Sequence, residues 1–187
     1  MEVTREVFLD ACRVWMVPPQ VANTLLEVRE TDAVKFVRSR GTKSVVFAGP
    51  VGGGKTIAAS EPLLHHFTEK HWTAPSGDRG VSLLRRKALW VSMSEMASLS
   101  LWDKEDQRMK DRATETELLV LDDLGGEPGD GAYLLENILN SRMSDLKQTT
   151  MTTNLRPEAF AERYGARIMD RMRADGAIFQ VGGPSLR

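Results

Sequence analysis

Apolar residues along the chain are grouped in two ways. Unbroken apolar runs at residues 44–48 (Ser-Val-Val-Phe-Ala), 88–92 (Ala-Leu-Trp-Val-Ser) and 118–121 (Leu-Leu-Val-Leu) have the length and character of strands buried on both faces of a parallel sheet. Residues 148–153 and 177–181 are read as two more strands. Helical spacing lies between and before them. Val7, Ala11, Val14 and Trp15 share a face over residues 5–16, and Pro18-Pro19 ends that segment. Residues 20–38 are helical with a break at Thr31-Asp32, where Asp32 can cap a second piece running to Gly41. Leu134, Leu135, Ile138 and Leu139 point inward from a helix over 132–146, and Pro157 starts another. Strands alternating with helices predict an α/β fold, with the first helices covering one side of the sheet.

Three stretches read less simply. The helix after residue 56 contains Pro62, which is expected to kink or split it, with Ser60 capping the second part. Residues 73–87 read as a loop on the turn chemistry of Ala74-Pro75-Ser76-Gly77-Asp78. Its Arg85-Arg86-Lys87 run is a solvated stretch or, alternatively, a contact for a nucleic-acid backbone. Ser94 is expected to cap a helix through Trp102, and the mixed charges of 103–116 mark an exposed helix or connector.

The chemistry concentrates at Gly49-Pro50-Val51-Gly52-Gly53-Gly54-Lys55-Thr56, between the first strand and the helix that follows it. Glycines let the backbone curl until several N–H groups face one anion, and a helix beginning at Lys55 adds the positive end of its dipole. Lys55 can then reach the β- and γ-phosphates of a nucleotide, and the Thr56 hydroxyl can bind Mg²⁺. The Val17-Pro18 turn can lie against an adenine base, simple packing being the alternative.

A second apolar strand runs into Asp122-Asp123 and so delivers two carboxylates to the carboxyl edge of the sheet. Asp122 can hold Mg²⁺ through water, and Asp123 can orient or deprotonate an attacking water. The strand at 88–92 falls between the two motifs in sequence, leaving room for a sheet in which the motif strands are not neighbours. Strand 148–153 ends at Asn154, whose amide sits where a γ-phosphate or catalytic water could be sensed. Arg163, Arg167 and Arg171 are spaced by four and so share one face of a continuous helix. They form a solvated stripe near Glu162 and Asp170, or one of them enters a neighbouring subunit's ATP site as an arginine finger.

Composition narrows the partners. With 25 basic and 26 acidic residues the net charge is −1, so nucleic acid could be held only by a local patch. Cys12 is the only cysteine, which excludes an intrachain disulfide and a cysteine-based zinc site and fits a reducing cytoplasm. His65, His66 and His71 lack an acidic or cysteine partner at ligand spacing and are not read as a metal site. The amino terminus shows no signal-peptide pattern, and no apolar run approaches membrane-span length.

Taken in order, Gly-Pro-Val-Gly-Gly-Gly-Lys-Thr (49–56), Leu-Leu-Val-Leu-Asp-Asp-Leu-Gly (118–125), Thr-Thr-Asn-Leu (152–155), Gly-Ala-Arg-Ile-Met-Asp-Arg-Met (165–172) and Gly-Pro-Ser-Leu-Arg (183–187) resemble the DnaC/IstB group of AAA+ ATPases, which includes replicative helicase loaders and transposition ATPases. The resemblance implies a P-loop NTPase three-layer α/β/α sandwich with a five-stranded parallel sheet and a reduced or absent lid. One AAA+ domain would span 1–187, with helices over 1–43 and the P-loop core and sensor region over 44–187. It further implies hydrolysis of ATP with Mg²⁺ at subunit interfaces of a ring or helical oligomer. Asn154 matches the first sensor, Arg171 the arginine finger, with Arg167 the second choice, and Arg187 the second sensor. Arg142 in Leu-Asn-Ser-Arg also matches a family arginine, and Tyr133 is a weak candidate for single-stranded DNA contact, with Glu127 and Asp130 opposing it.

The resemblance implies loading of a replicative DNA helicase onto single-stranded DNA. The alternatives are an IstB-like helper of a transposase and an ATP-dependent adaptor that does not hydrolyse. Three departures stand out: only 48 residues precede Gly49, Asp123 stands where a longer glutamate is expected, and Arg187 ends the sequence so that its own carboxylate would crowd the phosphates.

Overall fold

Five parallel strands form the sheet, and the order in which they lie places the site. The computed structural model describes residues 4–27, 30–41, 43–69, 77–100, 102–129, 131–174 and 176–182. Before the sheet come α1 (Arg5–Val14), α2 (Pro19–Leu25) and α3 (Asp32–Ser39). Then follow β1 (Ser44–Ala48), α4 (Lys55–Glu69), α5 (Gly77–Lys87), β2 (Ala88–Ser92), α6 (Met93–Ser98), α7 (Lys104–Glu115) and β3 (Leu118–Leu124). The chain continues through α8 (Gly131–Ser144), β4 (Gln148–Thr153), α9 (Pro157–Tyr164), α10 (Ala166–Ala174) and β5 (Gly176–Gln180). The strand order is β2-β3-β4-β1-β5, so β4 separates the strands that end in the glycine loop and in the two aspartates.

Helices cover both faces. On one side Phe8, Trp15, Leu25, Val34, Leu63 and Phe67 pack on β1 and its neighbours, with the Phe8, Trp15 and Phe67 rings edge to face. On the other, Met93, Met96, Leu135, Leu139, Phe160 and Met172 cover Val46, Leu119, Leu121 and Met151. The first three helices therefore cover one side of the sheet, as their spacing predicts.

Strand β4 is polar although it is central. Each of its threonine hydroxyls has a partner: Thr149 accepts from Arg142, Thr150 donates to the Ala59 carbonyl at 2.6 Å, Thr152 donates to Asp122 and Thr153 donates to the Leu124 carbonyl. Burial of these hydroxyls is tolerable because none is left unpaired. Arg142 is completely buried without a carboxylate, donating to the carbonyls of Ala113 at 2.9 Å, Thr116 at 2.8 Å and Gln148 at 2.5 Å. Desolvation pushes its pKa down to about 9, with Asp145 acting in the opposite direction. This arginine ties α7, α8 and β4 together beneath the sheet edge.

Four local expectations change. Residues 77–87 are helical rather than a loop. The last carbonyls of α5 are met by distant donors, Trp15 Nε1 at Leu84, Arg112 at Arg85 and the Glu117 N–H at Arg86, none of which is visible locally. The α4 helix runs through Pro62 unsplit, since Ala58, Ala59, Leu63 and Phe67 bury both halves against the sheet. Ser92, not Ser94, caps α6 through a reciprocal pairing with Glu95, and the helix stops at Ser98. Thr31, not Asp32, caps α3, accepting from Val34 N at 3.2 Å. His71, Asp130 and the closing 183–187 motif with Arg187 lie outside the described residues.

Candidate nucleotide site

The carboxyl ends of β1, β4 and β3 lie side by side, and each delivers one part of the site. From β1 the chain enters the glycine loop. Gly49 has φ +150°, and a Cβ there would collide with the Val181 carbonyl, which belongs to the segment leaving β5. Only glycine permits that approach. Val181 N donates to the Ala48 carbonyl at 2.7 Å, so the loop is braced from the β5 side.

Lys55 begins α4 and is buried, its Nζ donating to the Pro50 carbonyl at 2.7 Å across the loop. Burial lowers its pKa, while Asp122 and Asp123 act to raise it. Thr56 Oγ1 donates to Asp122 at 3.0 Å, which joins the glycine loop directly to the acidic strand end. Thr152 completes the joint: its hydroxyl donates to Asp122 Oδ1 at 2.7 Å and accepts from Asp123 N at 2.9 Å. Desolvation raises the Asp122 pKa, hydrogen bonds from Thr152 and Thr56 oppose it, and Asp123 adds to the rise. Asp123 has φ +57°, and its exposed carboxylate accepts from Asn154 Nδ2 at 3.1 Å. The left-handed backbone turns this side chain away from the strand and over the cleft.

The cleft in front of these groups measures about 1050 Å³. Lys55, Thr56, Asp122, Asp123, Thr152 and Asn154 line it. The segments that precede the sheet add Pro18, Val21 and Val34 together with the polar Gln20, Thr24, Glu27 and Thr31. Val17 is buried in the core and does not line the cleft, so Pro18 alone of the predicted pair faces it. Within the loop, Val51, Gly52 and Gly54 reach the cleft, and Pro50 holds Lys55 through its carbonyl. Gly53 packs against Val181, where a Cβ would lie 2.9 Å from Cγ1.

The oxygen atoms of Thr56 and Asp122 meet at one point beside the glycine loop, a donor set suited to a hard divalent cation such as Mg²⁺. Among the described residues no group of three or more His, Cys, Asp or Glu side chains is placed to hold a metal ion.

The three arginines do not share one face. Gly165, at φ +88°, ends α9 and turns the chain into α10, so Arg163 stands on one helix and Arg167 and Arg171 on the next. Arg163 pairs with the buried Glu127 at 3.2 Å and Arg167 with Glu136 at 3.5 Å. Arg171 is half-buried and forms no hydrogen bond or ion pair with any described residue. Tyr133 is exposed on α8, beside the loop that leaves β3.

Sequence reasoning missed Thr152 as a bridge between the two aspartates and Glu127 as a structural anchor. Thr152 carries a usable signal, a hydroxyl two residues before Asn154 on a strand ending at the site.

An all-parallel five-stranded sheet between helix layers, with the glycine loop after β1 and the acids after β3, is the fold of a P-loop NTPase of the AAA+ type. More closely, it is a DnaC-like AAA+ fold. Similar solved structures include DnaI, with TM-score 0.62 and 22% identity over 91% of this chain and 94% of that one. The DnaC helicase loader superposes with TM-score 0.66 at 18% identity, over 88% of this chain and 100% of that one. AMPPCP-bound DnaA from Aquifex aeolicus gives TM-score 0.60 at 15% identity, and there the match covers 88% of this chain and 50% of the DnaA chain. No family model matches the sequence, and no curated protein matches it.

Proposed function

We propose that this chain is an AAA+ ATPase that binds and hydrolyses ATP between subunits of an oligomer and uses that cycle to load a replicative helicase onto single-stranded DNA. The observation that carries the ATPase reading is the joint between Thr56, Asp122 and Thr152. Through it the glycine loop and a pair of carboxylates meet on one cleft of about 1050 Å³, which supports a nucleotide-binding reading. The N–H groups of the glycine loop and Lys55 would hold the phosphates, with Lys55 exchanging its bond to Pro50 for the nucleotide. Pro18, Val21 and Val34 offer an apolar seat for the base. Thr56 and Asp122 would hold Mg²⁺, which neutralises phosphate charge when bound. Asp123, oriented by Asn154, faces the cleft as the acceptor for a water proton.

Assembly is supported by Arg171, a guanidinium with no partner among the described residues on a helix outside its own cleft. In a neighbour's site it would serve as the arginine finger. The helicase-loading role is supported by the likeness to the DnaC helicase loader and DnaI along most of the chain.

The test is the ATPase rate against protein concentration, with and without single-stranded DNA, for the native chain and Arg171→Ala. Specific activity should rise with concentration, and the variant should lose it while still binding ATP. Activity flat in concentration and normal in the variant would reject the shared site. A second reading, an adaptor that binds ATP without appreciable turnover, is favoured by the short Asp123 side chain already engaged by Asn154. Tight binding with no concentration-dependent turnover would select it.

A further inference from the structure

The loop that leaves β3 is fastened to a different part of the molecule by one carboxylate. The Glu127 side chain is completely buried, and its oxygens accept from Gly125 N at 2.8 Å, Tyr164 OH at 2.5 Å and Arg163 Nε at 3.2 Å. Arg163 also donates to the Glu127 carbonyl. Gly131 closes over the side chain so tightly that a Cβ there would collide with Glu127 Cγ. Desolvation alone would raise the pKa of this carboxyl, but hydrogen bonds from Tyr164, the backbone and Arg163 outweigh it and hold it below the usual glutamate range.

The two ends of this fastening are well separated in function. Glu127 follows Asp123 by four residues, on the loop whose start is fixed by Thr152 and Asn154. Gly125, at φ +110°, lies so close to Leu155 that a Cβ there would sit 2.8 Å from Leu155 Cδ1. Tyr164 is the last residue of α9 and abuts Gly165, the corner from which α10 carries Arg171 away. Loop and corner are therefore joined by charge-assisted hydrogen bonds to a fully buried carboxylate, which Tyr164 reaches from the core and Arg163 from the surface.

We propose that Glu127 is a positioning residue that makes the Asp123 loop and the α9–α10 corner move as one body, so that a displacement of Asp123 in one cleft is passed to Arg171 on the same chain. The kinetic consequence rests on the ATPase reading above; the mechanical link does not.

Hydrogen exchange on the nucleotide-free native chain, Glu127→Gln and Tyr164→Phe tests the link. The expected result is a joint loss of protection, about tenfold or more, in the loop after β3 and in α10, with α4 unchanged. Faster exchange confined to the loop, with α10 as in the native chain, would overturn it. Should Glu127→Gln not fold, Tyr164→Phe, which removes one hydroxyl, decides alone. Where the native chain turns over ATP, Glu127→Gln should lower kcat about tenfold with KM for ATP unchanged, and Glu127→Gln/Arg171→Ala should be no slower than Arg171→Ala. Additive losses would overturn the proposal. A native chain with no turnover would reject the ATPase reading and leave the exchange result to judge the link.

Discussion

Asn154 Nδ2 donates to Asp123 Oδ1 at 3.1 Å, joining the carboxyl ends of β4 and β3 across the mouth of the cleft. A sensor-like amide and a candidate base therefore touch each other directly, and a water placed between Asp123 and a γ-phosphate would lie within reach of both. Asp123→Asn is expected to retain nucleotide affinity and lose turnover by about a hundredfold or more, the scale of a general base. Single-turnover kinetics with a fluorescent nucleotide checks this, and unchanged turnover would remove Asp123 from the role.

Among the described residues the Lys55 ammonium bonds only to the Pro50 carbonyl, and burial disfavours its charged form. Lys55→Met should leave the apo protein folded with an equal or higher Tm while cancelling the Tm rise that saturating ATP confers by mass action. In the native chain a nucleotide at a hundredfold its Kd should add about 2.7 kcal/mol. Differential scanning fluorimetry with and without ATP separates the two effects.

Asp122 gives a pH signature of known sign. Its folded pKa lies above the ordinary value, so its ionised form weakens the fold at neutral pH, and the penalty fades as pH falls through that raised value. Asp122→Asn should raise the apo Tm at pH 7 by a few degrees, roughly 2 °C, and the gain should shrink toward acid. The same variant should lose Mg²⁺-dependent nucleotide binding. A gain that grows toward acid would contradict the raised pKa.

Arg142 is a structural residue by its contacts. Replacing it with alanine strands buried carbonyls of Ala113, Thr116 and Gln148, a loss of about 3 kcal/mol or more measurable by urea unfolding. Arg142→Lys should recover little, because an ammonium lacks the planar fork that reaches several carbonyls at once.

The parts of the site that depend on contiguous sequence were legible. Residues 44–56 form a strand–loop–helix unit, and 118–123 run an apolar strand into its acids, so local pattern identifies both. Asn154 was legible as a strand-end amide, and its bond to Asp123 follows once β3 and β4 pair. What escaped depends on partners far along the chain. The α5 helix is hidden by turn residues at its start and completed by donors from Trp15, Arg112 and Glu117. Glu127, on sequence grounds only an acid opposing DNA, is buried by Tyr164 and Arg163, and Gly165 separates arginines whose spacing suggested one face. Spacing by four presumes an unbroken helix, and a glycine at positive φ removes that premise.

Strand β4 carries a consequence for how the molecule matures. Its threonines are ordered Thr149, Thr150, Met151, Thr152, Thr153, and alternate residues face opposite sides of the sheet. A slip of one position against β3 would bring Met151 to the acids in place of the Thr152 hydroxyl and push a polar side chain into the layer that Met151 fills. Register in the centre of the sheet thus ties the packing of the core to the joint at Asp122: a slip in that direction costs both in the same event.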